Sequence, residues 1–137
     1  GVIESMDISP ASVHDVNYLK DIKHQLKDCL LLGDRGYLSA EYQLNLFEYH
    51  NIRLETPMRS NQHNYKEQPY VFKKSRKRIE TLFSQLCDQF MIRRNYAKSF
   101  DGFKNRILSK ITAMTVIQYI NMFEFNRNIN NLKINIT

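Results

Sequence analysis

The sequence predicts an α/β fold, and three observations predict it. A short unbroken apolar run, "CLLLG" at residues 29–33, reads as a strand covered on both faces. An alternating run, "IRLETP" at 52–57, reads as another strand that stops at Pro57. Segments of helical period lie between and beside them. With a first strand in the opening residues, the order strand–helix–strand–helix–strand implies a sheet with some parallel pairing.

The opening "GVIESMDIS" alternates modestly and predicts that first strand. "SPASVHD" is a turn. Asp15 is placed to N-cap a helix to about Leu26, with Val16, Leu19, Ile22 and Leu26 at the 3.6 period. Ser39 caps a second helix, carrying Tyr42, Leu44, Leu46 and Phe47 and ending near His50. Residues 59–70, "RSNQHNYKEQPY", are polar and aperiodic, hence a loop. From about Phe72 the chain turns helical. Ile79, Leu82, Phe83, Leu86 and Phe90 form one apolar stripe. After the basic turn "IRRNYAKS", Asp101 caps a last helix to about Phe123. That helix is apolar almost all round from Ile111 to Met122, so burial is expected. Residues 1–123 are expected to form the domain and 124–137 a frayed polar tail.

The length of 137 residues fits one domain with a single core. No stretch is apolar enough to span a bilayer, and no signal-peptide pattern is present. Gly1 opens the chain and Met6 is its first methionine, which fits either a start inside a longer reading frame or a removed leader. Cys29 and Cys87 read as small buried residues in a reducing compartment. His14, His24, His50 and His63 have no metal-ligand spacing. The net charge of +6 is uneven. Residues 1–58 hold five Lys/Arg against nine Asp/Glu, whereas residues 59–137 hold fifteen against five. A basic half of that size points to a polyanionic partner, nucleic acid first, against the plainer reading of a solvated basic surface.

Two acids stand out. Asp34, in "LLGDRGYLSA", follows an apolar strand and is flanked by Gly33 and Gly36. In open α/β sheets ligands sit beyond the carboxyl ends of strands. The competing reading is an Asp that only caps a turn. Glu80, in "KKSRKRIETLFSQL", lies beside the apolar stripe, with Arg76 four residues earlier and Lys73, Lys74, Lys77 and Arg78 around it. The plain reading is an exposed Glu paired with Arg76. An acid among five cations also suits a phosphodiester site, with the acid on a metal and the cations on the backbone.

"LLGDRGYLSAEYQ", then "RLETPMRSNQ", then "RKRIETLFSQL" together resemble the DDE transposases of bacterial insertion sequences. "DISPASVHDVNYLKDI" resembles the segment that precedes the family's second catalytic acid. The resemblance runs from the first residues to about residue 120. It implies a ribonuclease H-like mixed sheet flanked by helices, with three acids holding two divalent metals, Mg²⁺ or Mn²⁺. Asp34 matches the second acid and Glu80 the third, both as catalytic residues and metal ligands; Arg76 matches the basic residue before the Glu. Many relatives carry a Lys seven residues after the Glu and a Tyr three before the Arg, where this chain has Cys87 and Lys73. The first acid has no counterpart; Asp7 lies in the wrong segment. The fold is therefore expected to be N-terminally incomplete, with its first strand missing and the chain inactive alone.

The resemblance implies metal-assisted cleavage that frees a 3′-hydroxyl at an element end, followed by attack of that hydroxyl on target DNA. Arg76, Lys77, Arg78, Lys73 and Arg59 are the implied phosphate contacts, with Tyr65 and Tyr70 as weaker DNA candidates. Implied partners are DNA, both element ends and target, and either a homodimer or an assembly with intact transposase. No membrane is implied, and the implied location is the bacterial cytoplasm, at the nucleoid. Two other readings stay open: an inactive DNA-binding remnant that regulates an intact transposase, and a nuclease of the same fold without strand transfer.

Overall fold

A computed structural model describes residues 1–133 and divides the chain into two compact units, Ser9–Arg76 and Gly1–Ile8 with Lys77 onward. The fold is mixed α/β with a two-stranded parallel sheet.

In the unit Ser9–Arg76, a 3₁₀ turn (Asp15–Tyr18) leads into α1 (Leu19–Gln25), β1 (Cys29–Leu32), a second 3₁₀ turn (Arg35–Tyr37), α2 (Ala40–His50) and β2 (Ile52–Glu55). The strands pair in parallel from Cys29↔Ile52 to Leu32↔Glu55, and α2 is the crossover between them. Ser39 caps α2 as expected, its Oγ accepting from the Tyr42 N–H at 3.4 Å. Asn51 ends it in the left-handed region, at φ 52°. Asp28, at φ 51°, donates its N–H to His50 O, and its carboxylate accepts from Asn51 Nδ2 at 3.0 Å. These two left-handed residues thus start both strands side by side. Leu19, Ile22, Leu46, Ile52 and Leu54 form the core, with Cys29 and Leu31 packed against it.

Three expectations are corrected here. The sheet is covered on one face only: Leu30 is 50% exposed, on the face it shares with Arg53 and Glu55, which pair at 2.7 Å. An all-apolar strand reads as doubly covered, but its neighbour β2 alternates and so leaves one face wet. The opening residues form no strand. Asp15 does not cap α1. Its turn is preceded by His14, α1 by Tyr18, and neither side chain makes a capping bond.

The other unit takes in residues 77–88 of α3 (Tyr70–Asp88), the whole of α4 (Phe100–Phe123) and the opening residues. Leu82, Leu86, Met114 and Leu132 are its core, with Ile3, Phe90, Ile92, Ile111 and Ile117 against them. Instead of pairing as a strand, the opening segment is held by Ile3 and by Gln118 Nε2, which donates to Gly1 O at 2.8 Å. Buried Asn121 likewise donates to Asn131 O at 2.8 Å. The chain ends thereby accept from the amide N–H groups of the two polar side chains that α4 buries. Leu132, in the polar tail, is 3% exposed; residues 134–137 lie outside the described residues.

Ser99, not Asp101, caps α4, accepting from the Gly102 N–H at 3.1 Å. The expectation of all-round burial for α4 is also corrected. Met114, Gln118 and Asn121 are buried at spacings of four and three, while Val116, Tyr119 and Met122 are each about half exposed. On α3 the stripe splits in the same way: Leu82 and Leu86 are buried, Ile79 and Phe83 exposed. Apolar content cannot tell which side of a helix has a neighbour.

Candidate functional site

Asp34 stands two residues beyond the end of β1, at the carboxyl edge of the sheet. The Gly33 N–H donates to Glu55 O at 3.0 Å and carries the ladder to that point. Asp34 then caps the turn Arg35–Tyr37, its Oδ1 accepting from the Gly36 N–H at 2.8 Å. The turn-capping reading is therefore realised in the structure. It leaves the carboxylate exposed with Oδ2 unbonded among the described residues, so capping and ligand binding are compatible.

The glycines serve close approach rather than unusual dihedrals, since neither has a positive φ. A Cβ on Gly36 would lie 3.0 Å from Asp34 Oδ1 and 3.1 Å from Asp15 Oδ2. Asp15, expected to cap a helix, thus brings a second carboxylate to the same turn. A Cβ on Gly33 would lie 3.3 Å from Tyr37 Cβ and from Leu54 Cδ1. Arg35 Nη2 donates to Met58 O at 3.3 Å and ties the segment after β2 to this turn. Arg59 follows directly and is exposed, its N–H donating to Gln62 Oε1 at 2.9 Å.

Two carboxylates beside one turn leave an electrical trace. The Tyr37 phenol titrates above its ordinary value, first through burial, then through the negative charges of Asp15 and Asp34, with Tyr18 adding to them. The folded protein therefore holds this proton more tightly than the unfolded chain does. The resulting stability is present below about pH 10 and is lost as pH rises through the Tyr37 value. Ultraviolet titration should show a late-ionising phenol that disappears in Tyr37→Phe and ionises earlier in Asp34→Asn. An unchanged titration in Asp34→Asn would remove that carboxylate from the phenol's surroundings.

Glu80 lies on α3 in the other unit and is exposed. Arg76 precedes it by one helical turn, and Lys73, Lys77 and Arg78 share the same stretch of helix. These cations are not equivalent. Arg76 and Lys77 are exposed. Lys73 is ion-paired with Glu67, which raises the lysine pKa and lowers that of the carboxyl, hydrogen bonding being the first cause for each. Arg78 is half-buried: a Cβ on Gly1 would lie 3.2 Å from its Nε, and its Nη2 is buried without a hydrogen-bond partner among the described residues.

Exposed carboxylate oxygens are hard donors. They suit Mg²⁺ or Mn²⁺, which is held by one or two carboxylates and completes its shell with water or phosphate. Asp34 and Asp15 at one turn, and Glu80 on a cationic helix, have that donor chemistry. Among the described residues, no three His, Cys, Asp or Glu side chains gather into a group able to hold a metal. Cys29 and Cys87 are free and half-buried. No helix among the described residues is long and apolar enough to cross a membrane.

Sequence reasoning missed Asp15. Its approach to Gly36 joins residues twenty-one apart, and no local pattern in the sequence signals it. In comparison with known proteins, the family model described as "Transposase DDE domain" matches residues 1–116. No curated protein and no solved structure matches the chain.

Proposed function

We propose a function from one premise: the chain belongs to the transposase DDE domain family. Membership makes DNA transposition the process in which it acts. We read it as part of a ribonuclease H-like catalytic domain that cleaves and transfers DNA strands with Mg²⁺ or Mn²⁺. The observation that carries this reading is Asp34, a capped and exposed carboxylate at the carboxyl edge of two parallel strands.

Asp34 and Glu80 would each serve as a metal ligand. A divalent ion, when bound, would supply activation of an attacking water or 3′-hydroxyl and would offset charge on the phosphoryl oxygens. The Gly36 N–H holds Asp34 Oδ1, which would leave Oδ2 for a ligand. Asp15 adds negative charge at the same turn and strengthens its pull on a cation. Arg76 and Lys77 would grip backbone phosphates beside Glu80, and Arg59 would do so beside Asp34. Lys73 would exchange Glu67 for phosphate. Arg78, half-buried, would contact phosphate only through its outer edge. Contacts of this kind give salt-sensitive affinity without sequence choice.

The test is Mg²⁺-dependent nicking of supercoiled DNA by the full reading frame that contains this chain. Nicking with free 3′-hydroxyl ends, followed by their joining to target DNA, supports a transposase. Nicking without joining supports a nuclease of the same fold. Binding without nicking supports a regulatory DNA-binding protein.

A further inference from the structure

The connection between α3 and α4 carries chemistry that the acids do not use. It contains Arg93, Arg94 and Lys98, with no acid between Asp88 and Asp101. All three cations are exposed. Between them stands Tyr96, 78% exposed, the most exposed large apolar side chain described.

This connection is nevertheless firmly built. Met91 is in the left-handed region at φ 49°, and the Ile92 N–H donates to Leu86 O at 3.0 Å. Lys110, from α4, donates its Nζ to Met91 O at 2.5 Å and to Arg94 O at 3.1 Å. Asn95 Nδ2 donates to Phe103 O at 3.1 Å, and its Oδ1 accepts from the Ala97 N–H at 3.2 Å. Ser99 then caps α4. Backbone anchors on both sides of residues 93–98 therefore hold the cations and Tyr96 on a fixed frame. The side chains of Arg93 and Lys98 make no hydrogen bond or ion pair among the described residues.

A flat aromatic ring exposed among cations is poor packing for a monomer but suits an unpaired nucleic-acid strand. Bases stack on the ring, cations follow the phosphates, and a fixed frame reduces the ordering cost. A duplex hides its base faces and could use only the cations. We infer that this connection binds single-stranded DNA, with Tyr96 under a base and Arg93, Arg94 and Lys98 on phosphates. The inference rests on the reading that the protein acts on DNA, and it adds the strand form recognised and a surface apart from the acids.

Fluorescence anisotropy of the full chain tests it, with a labelled single strand of about 20 nucleotides, longer than the ~4–16 that one OB fold covers, and a duplex of equal length. Tyr96→Ala should weaken single-strand binding about tenfold, the effect of losing one stacked base. It should leave duplex binding nearly unchanged. Tyr96→Phe, which keeps the ring, should retain single-strand affinity. Arg93→Gln with Lys98→Gln should weaken both forms and flatten the salt dependence. The inference is overturned if Tyr96→Ala leaves single-strand affinity unchanged, if Tyr96→Phe loses as much as Tyr96→Ala, or if the wild-type chain binds neither form. Should Tyr96→Ala not fold, Tyr96→Phe and the cation pair decide alone. Single-strand binding that stands while Asp34→Asn and Glu80→Gln leave nicking unchanged would keep this surface and remove the catalytic reading.

Discussion

Glu80→Gln should abolish Mg²⁺-dependent nicking by the full reading frame and leave DNA affinity within about twofold. The substitution keeps the size of the side chain and removes one ligand charge. Metal stabilisation of phosphoryl transfer is worth several kcal/mol, and each 1.36 kcal/mol is about tenfold in rate, so a loss of about a thousandfold or more is expected. Glu80 is exposed, and the fold does not rest on its burial. Folding should therefore be untouched, and circular dichroism would confirm it. DNA affinity should hold because the cations of α3 remain. The plain alternative, a surface Glu paired along its helix, is worth only about 0.2–0.5 kcal/mol and predicts unchanged nicking. Asp34→Asn should behave like Glu80→Gln in nicking. It should also shift the Tyr37 phenol, which Glu80→Gln should not.

Leu46→Ala should cost about 3 kcal/mol of folding stability, within the ~2–5 typical of a buried leucine. Leu46 is 1% exposed and sits on α2 among Leu19, Ile22, Ile52 and Leu54, so the lost atoms leave a cavity. Leu30→Ala is the control. Leu30 is half exposed on the open face of the sheet, and its loss should cost well under about 1.5 kcal/mol. Equilibrium urea unfolding of both variants checks the pair. Equal costs would mean that the Leu30 face is covered in solution, and the one-sided sheet would be wrong.

Much of the fold was legible where the signal was local. Ser39 marks its helix start because a hydroxyl at that place satisfies a free N–H. β2 alternates because one face is buried, and its Ile52 and Leu54 could be named in advance as core. The aperiodic stretch before Tyr70 is indeed a connection without helix or strand. Long-range partners were not legible. The opening residues alternate like a strand, yet their backbone is engaged by Gln118, more than a hundred residues away. α4 is apolar all round, but only the side facing Leu82 and Leu86 has a neighbour to bury it. Asp15 fits a helix cap by spacing, whereas its carboxylate lies against Gly36, an approach that no local pattern encodes. The candidate site divides in the same way. "GDRGY" marks the turn and its acid, because a cap and close-packed glycines are written in adjacent residues. The half-burial of Arg78 and the pairing of Lys73 with Glu67 depend on neighbours that the motif does not contain.

The central proposal is that Asp34 and Glu80 are each ligands to a divalent ion. Mn²⁺ binding, followed by electron paramagnetic resonance with Mg²⁺ as competitor, tests it without relying on turnover. The account predicts binding that Mg²⁺ displaces and that Asp34→Asn and Glu80→Gln each weaken by about tenfold or more, the loss of one carboxylate ligand. Mn²⁺ affinity unchanged in both variants would contradict it.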